Sequence, residues 1–188
     1  LSVKMFRNND NYYTLEEISK EANRWKADLF VSIHVNAGGG TGFESFIYNG
    51  SVSRTTKELQ KTLHDEIMKS IKKYNVKDRG KKKANFYVLR KTSMPAVLTE
   101  NLFIDTVKDA KLLKDDNFLK DLSNGHVNGI VKFTNAKKKK ITKNSDTYRV
   151  VTGSFSNKKN AEIRVKELKE KGFNSFIYLH KKWGDGIG

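Results

Sequence analysis

The chain has 188 residues, enough for one ordinary domain and a small second one. Its 11% aromatic content argues against disorder, and the lack of cysteine excludes disulfides and thiolate zinc sites. A formal net charge of +16 attracts polyanions: nucleic acid, a membrane surface or a bacterial wall rich in phosphate polymers. Charge alone does not choose among these, and solvated lysine faces explain it as well.

Val3–Arg7 reads as a strand. Thr14 and Glu17 form a capping box that opens a helix to about Ala27, with Leu15, Ile18, Ala22 and Trp25 on one face. Leu29–Ile33 is a short apolar run between Asp28 and three glycines, the pattern of a buried parallel strand. Gly42–Tyr48 is a second strand. Arg54–Lys73 is a helix with Leu59, Leu63, Ile67 and Ile71 at four-residue steps. Lys77–Lys83 reads as a basic loop, Asn85–Leu89 as a strand, and Ala96–Thr99 as a buried strand entered through the single proline, Pro95. Thr106 is placed to cap a helix over Val107–Leu113, and a last helix covers Phe118–Phe133.

Helices alternating with short apolar strands predict an α/β fold, a mostly parallel sheet flanked by helices. Thr134–Asp146, which carries Lys137-Lys138-Lys139-Lys140, reads as a linker. Beyond it Tyr148–Phe155 reads as a strand, Asn157–Lys171 as a helix and Ser175–Leu179 as a strand, a partial α+β module. The expected division is thus residues 1–133, a linker over 134–146, and 147–188. No stretch approaches the roughly 20 apolar residues of a membrane span, and no signal peptide is visible.

Ser32, His34 and Asn36 share one face of their strand by its two-residue period. The strand over 96–99 leads into Glu100. An imidazole and a carboxylate thus stand at the C-terminal ends of two strands, the edge where open α/β sheets bind ligands. Imidazole binds metals and a carboxylate serves as a general base, but both residue types also occur as structural or solvated groups at strand ends. Position alone leaves these readings open.

A series of motifs in one order adds to this: Phe6-Arg7 with Asp10, Leu29–Ala37, Gly42–Phe46, Asp78-Arg79-Gly80, Phe86–Arg90 and Met94–Glu100. Together, over about residues 3–133, they resemble the zinc-dependent N-acetylmuramoyl-L-alanine amidases of the amidase-3 class. The resemblance implies a Zn²⁺ held by two His and one Glu, with His34 as the last ligand, Glu100 as general base and Asn36 supporting the site. The bond cut would join N-acetylmuramic acid to L-alanine of the peptidoglycan stem peptide. The other two ligands of the family lie in a Gly-His-Gly stretch and the following helix, upstream of Leu1, so this chain is expected neither to hold zinc stoichiometrically nor to cleave peptidoglycan. His64, His126 and His180 match no ligand position. The family usually has a small or apolar residue before the Glu and a Gly before the following Phe; here Thr99 and Leu102 stand there. Arg79 could touch substrate, but beside Lys81-Lys82-Lys83 a solvated role is expected.

Tyr148–Asn157, followed by Asn160-Ala161-Glu162, Leu168 and Lys171-Gly172-Phe173, resembles the first half of the sporulation-related repeat, SPOR. That resemblance implies binding to glycan strands stripped of stem peptides. The expected protein is a monomer acting outside the cell or at the wall, on peptidoglycan and without nucleic acid, since the lysines are spread along the chain and no nucleic-acid motif is present. The competing reading is a non-catalytic peptidoglycan-binding protein that keeps the amidase fold.

Overall fold

The computed structural model describes residues 1–6, 12–136 and 157–170. Contacts divide the chain into two units, residues 1–139 and 140–188.

In the first unit, α1 (Leu15–Arg24) starts at Thr14, whose hydroxyl accepts the Glu17 N–H while the Glu17 carboxylate accepts the Thr14 N–H. It stops short of Ala27 because Lys26 turns left-handed, with φ of 52°. The strands are β1 (Phe30–Asn36), β2 (Phe43–Tyr48), β3 (Asp78–Ala84) and β4 (Ala96–Phe103). The remaining helices of this unit are α2 (Arg54–Ile71), α3 (Tyr87–Lys91), α4 (Val107–Leu112) and α5 (Asp116–Thr134). The sheet order is β1-β4-β2-β3. The β1/β4 and β2/β3 pairs are parallel and β2/β4 is antiparallel, so the sheet is mixed and mostly parallel.

One layer of core lies between the sheet and the α2/α5 pair. Leu59, Leu63, Ile67 and Ile71, the four-residue stripe of α2, are all fully buried there with Phe43, Ile47, Val97 and Phe118. Gly125 and Gly129 of α5 permit this approach: a Cβ on either would lie 2.8 Å from the Cα of Ile67 or Leu63. The second layer packs Ala22 of α1 and Val88 and Leu89 of α3 on Phe30, Ala96 and Leu98.

Several expectations are corrected. The basic run 77–83 is mostly β3, an edge strand, where lysines are well tolerated and discourage further pairing. Asn85–Leu89 is not a strand; the short helix α3 begins at Tyr87, because the four consecutive apolar residues Phe86–Leu89 carry no period that separates helix from strand. Residues 3–6 form no strand, and Arg7 lies outside the described residues, as does Asp10. Thr106 does not cap α4 with its side chain; its hydroxyl donates instead to the Gly40 carbonyl.

In the second unit, α6 (Lys158–Glu170) half-buries Ala161, Val165 and Leu168, the face expected from their spacing. The expected strands Tyr148–Phe155 and Ser175–Leu179, the run Lys137–Lys140 and His180 lie outside the described residues.

Candidate functional site

The site is assembled by strand register. β1 and β4 run parallel from Phe30 opposite Ala96 to His34 opposite Glu100. The even residues of β1 and β4 share the sheet face that carries Phe30 and Leu98, so His34 and Glu100 stand side by side past the apolar layer under α1 and α3. Glu100 is not after its strand but within it, since β4 continues to Phe103.

Beyond this pair β4 holds one residue more than β1: Asn36 pairs with Phe103. The extra residue is absorbed at Leu102, whose φ is 71°. The ladder break would strand the His34 carbonyl, and Asn101 Nδ2 donates to it at 2.8 Å. A second bulge lies between β2 and β3, where Phe43 pairs with Asp78 but Ser45 with Lys81, around Gly80 at φ 87°. The two bulges flank one antiparallel pair, Glu44 opposite Glu100.

Two carboxylates facing each other across strands repel. The molecule resolves this asymmetrically. Glu44, 3% exposed, accepts Asn36 Nδ2 at 2.8 Å, Arg79 Nε at 2.9 Å and Lys82 Nζ. Burial pushes the Glu44 pKa up, but the Lys82 and Arg79 bonds outweigh it and hold the carboxyl below its usual range. Glu100 has no such partner. Its Oε2 is buried without a hydrogen bond, and burial, then the Glu44 charge, pushes its pKa up to about 7. A carboxyl with that pKa can both take and return a proton near neutral pH.

His34 is exposed on the edge strand, and its Nε2 lies 2.8 Å from Ser32 Oγ. Asn36 does not touch His34 or Glu100 by any hydrogen bond among the described residues; its amide bridges Glu44 and the Ala37 N–H. The glycine turn that follows is held by two aspartates from beyond β4. Asp105 accepts the N–H groups of Gly38 and Gly39, and buried Asp109 accepts those of Gly42 and Phe103 and the Thr41 hydroxyl.

The structure therefore brings His34, Asn36 and Glu100 to one place and leaves the other described histidines elsewhere. His64 and His126 are buried. His64 links Ser45 Oγ at 2.8 Å to Asp78 Oδ1 at 2.9 Å, and His126 lies 3.0 Å from Thr99 Oγ1. Ser45, His64 and Asp78 resemble a nucleophilic relay in composition, but Ser45 is fully buried and cannot meet a substrate. Sequence reasoning did not assign two residues to the site. Arg79 is not free in solvent but paired to Glu44, with its Cζ over the Phe103 ring, 4.8 Å from the ring centre. Glu44 stood in the Gly42–Phe46 motif of the family resemblance, with no role assigned to it.

As for metal, the chemistry of an imidazole beside a carboxylate suits zinc, but a zinc site takes three or four protein donors. Among the described residues no group of three or more His, Asp or Glu side chains is placed to hold an ion. The donor set here does not make a zinc site by itself.

The family profile described as Amidase_3, N-acetylmuramoyl-L-alanine amidase, matches residues 1–132, and the SPOR domain profile matches residues 118–184. The sporulation-specific N-acetylmuramoyl-L-alanine amidase of Bacillus subtilis is 46% identical over 179 residues, covering 95% of this chain and 68% of that protein. The endolysin of Bacillus phage SPP1 is 55% identical over 141 residues, 74% of this chain; the match spans only 52% of the endolysin. Among solved structures, the N-acetylmuramoyl-L-alanine amidase from Clostridium difficile 630 superposes with a TM-score of 0.64 at 31% identity, over 71% of this chain and 72% of that one.

Proposed function

The chain belongs to the Amidase_3 family of N-acetylmuramoyl-L-alanine amidases, and on that premise we propose that it carries the general-base side of a site that hydrolyses the amide between N-acetylmuramic acid and L-alanine of peptidoglycan. One observation carries the reading. The Glu100 carboxyl, whose buried Oε2 makes no hydrogen bond, lies in register with His34 across the parallel strands β1 and β4, toward the strand ends where α/β sheets bind ligands.

In this reading Glu100 takes a proton from the attacking water and passes it to the leaving amine. Each transfer needs a group that titrates near the working pH, which burial and the Glu44 charge supply. Glu44 stays ionised through its two cations and so keeps Glu100 the more readily protonated of the two. Asn36 supports the site by tying the end of β1 to Glu44.

Zinc is the cofactor that the family resemblance implies. When bound, such an ion polarises the carbonyl and acidifies water. His34 is the ligand we assign to this chain. The two further ligands are not found among the described residues, so the 188-residue chain alone is expected to be inactive. After equilibration with zinc and desalting, elemental analysis should find well under one zinc per chain and no cleavage of purified peptidoglycan. One zinc per chain, lost in His34→Ala, would refute this. The second reading is a wall-binding protein that keeps the amidase fold without chemistry. Amide cleavage by the zinc-loaded full-length protein separates the two.

We take residues 1–133 as the amidase unit and 147–188 as a SPOR-like module for glycan strands stripped of stem peptides, working at the wall or outside the cell. Retention of the chain on stripped glycan, and its loss when residues 147–188 are deleted, tests that assignment.

A further inference from the structure

The guanidinium of Arg79 is fixed from two directions. Its Nε donates to buried Glu44 at 2.9 Å, and its Cζ lies over the Phe103 ring, 4.8 Å from the ring centre. The bulge at Gly80 turns it out of the β3 ladder toward this position. The side chain is still 27% exposed, and among the described residues neither Nη makes a hydrogen bond. A guanidinium held by one edge and one face offers its remaining forked donors at little entropic cost, the arrangement suited to a planar carboxylate. Lys82 shares the Glu44 carboxylate, so two cations face that anion and the cluster is net positive while Glu100 holds its proton.

We propose that Arg79 receives a carboxylate on the peptide side of the scissile amide, fixing how the stem peptide lies across the sheet. This rests on the reading of Glu100 as the catalytic carboxyl. Arg79 is on β3 and Glu100 on β4, with β2 between them. Neighbouring strands lie about 4.8 Å apart, and the guanidinium reaches back to Glu44, directly opposite Glu100, so it lies within roughly 10 Å of the Glu100 carboxyl, while an extended peptide advances about 3.3 Å per residue. The carboxylate recognised is thus on the second or third residue from the bond that is cut.

The test uses the ¹⁵N-labelled 188-residue chain, titrated with N-acetyl-L-alanylglycine and with its C-terminal amide, and followed by backbone shifts. The acid should bind about tenfold tighter than the amide, as a charge-assisted forked pair requires. Arg79→Gln should erase that preference. Arg79→Lys, which keeps a cation for Glu44 but loses the fork, should retain only part of it, and it decides the matter if the Gln variant does not fold. No acid preference in the parent chain, or a full preference in either folded variant, overturns the proposal. Shifts at His34 and Glu100 without an Arg79-dependent preference leave the catalytic reading standing and sink the receptor. An Arg79-dependent preference with no shift at His34 or Glu100 leaves the receptor standing and sinks the catalytic reading.

Discussion

Leu102 holds a left-handed backbone with φ of 71° while its side chain, 1% exposed, sits in the core. That conformation costs a non-glycine residue on the order of 1–3 kcal/mol. Burial of the side chain offsets the strain. Leu102→Ala should therefore cost about 2–5 kcal/mol in urea unfolding, because it loses packing and keeps the strain. Leu102→Gly should cost no more than Leu102→Ala, reversing the usual order of the two residues. A Gly variant clearly less stable than the Ala variant would show that Leu102 is not strained. His64 and His126 give a pH dependence at the same scale. Burial lowers both pKa values; Asp78 opposes this at His64, and the Leu122 carbonyl opposes it at His126. The fold thus favours neutral rings, while the unfolded chain takes up protons near the ordinary value of 6.5. Stability is intact above that pH and falls below it, so the melting temperature should drop between about pH 7 and pH 5, with a shallower slope in His126→Asn. His34, Asn36 and Glu100 were legible as residues because strand period and motif order mark them. Glu44 and Arg79 stood in matched motifs, but their pairing was not legible, because it comes from two bulges and nothing in a single sequence states which residue of a strand goes unpaired.

At the scale of elements, the α2/α5 contact depends on two absent side chains. Gly129→Ala gains about 1 kcal/mol in helix propensity, yet its Cβ would press on Leu63 at 2.8 Å. Overpacking of this kind costs roughly 1–3 kcal/mol, so the variant should be destabilised in urea unfolding. Asn124→Ala, one helix position from Gly125 and exposed, should be neutral or stabilising. A stable Gly129→Ala protein would mean that α5 does not pack as described. The helices were legible because caps and four-residue stripes are local signals. β3 was not. Its residues Lys81, Lys82 and Lys83 look like a loop, and they form a strand only because β2 offers an edge and because Asp65 and Glu44 take Lys81 and Lys82. The run over 85–89 failed for the opposite reason: its apolar residues were too few to show a period.

Across the whole molecule, +16 of net charge accompanies membership in a wall-hydrolase family. Binding to wall preparations that keep their phosphate polymers should weaken as salt is raised over a few hundred millimolar, where the screening length falls below about 8 Å. Binding unchanged by salt would assign the lysines to solubility alone. The central claim is that Glu100, set beside His34 and opposed by Glu44, is the proton-transfer group of an amidase. Its most direct test is the release of N-terminal L-alanine from purified peptidoglycan by the zinc-loaded full-length protein, with Glu100→Gln compared to the parent at equal metal content. A loss of about 10²–10⁴-fold is predicted, the usual contribution of a general acid–base group. Activity within a few-fold of the parent, in a folded and zinc-loaded variant, would contradict it.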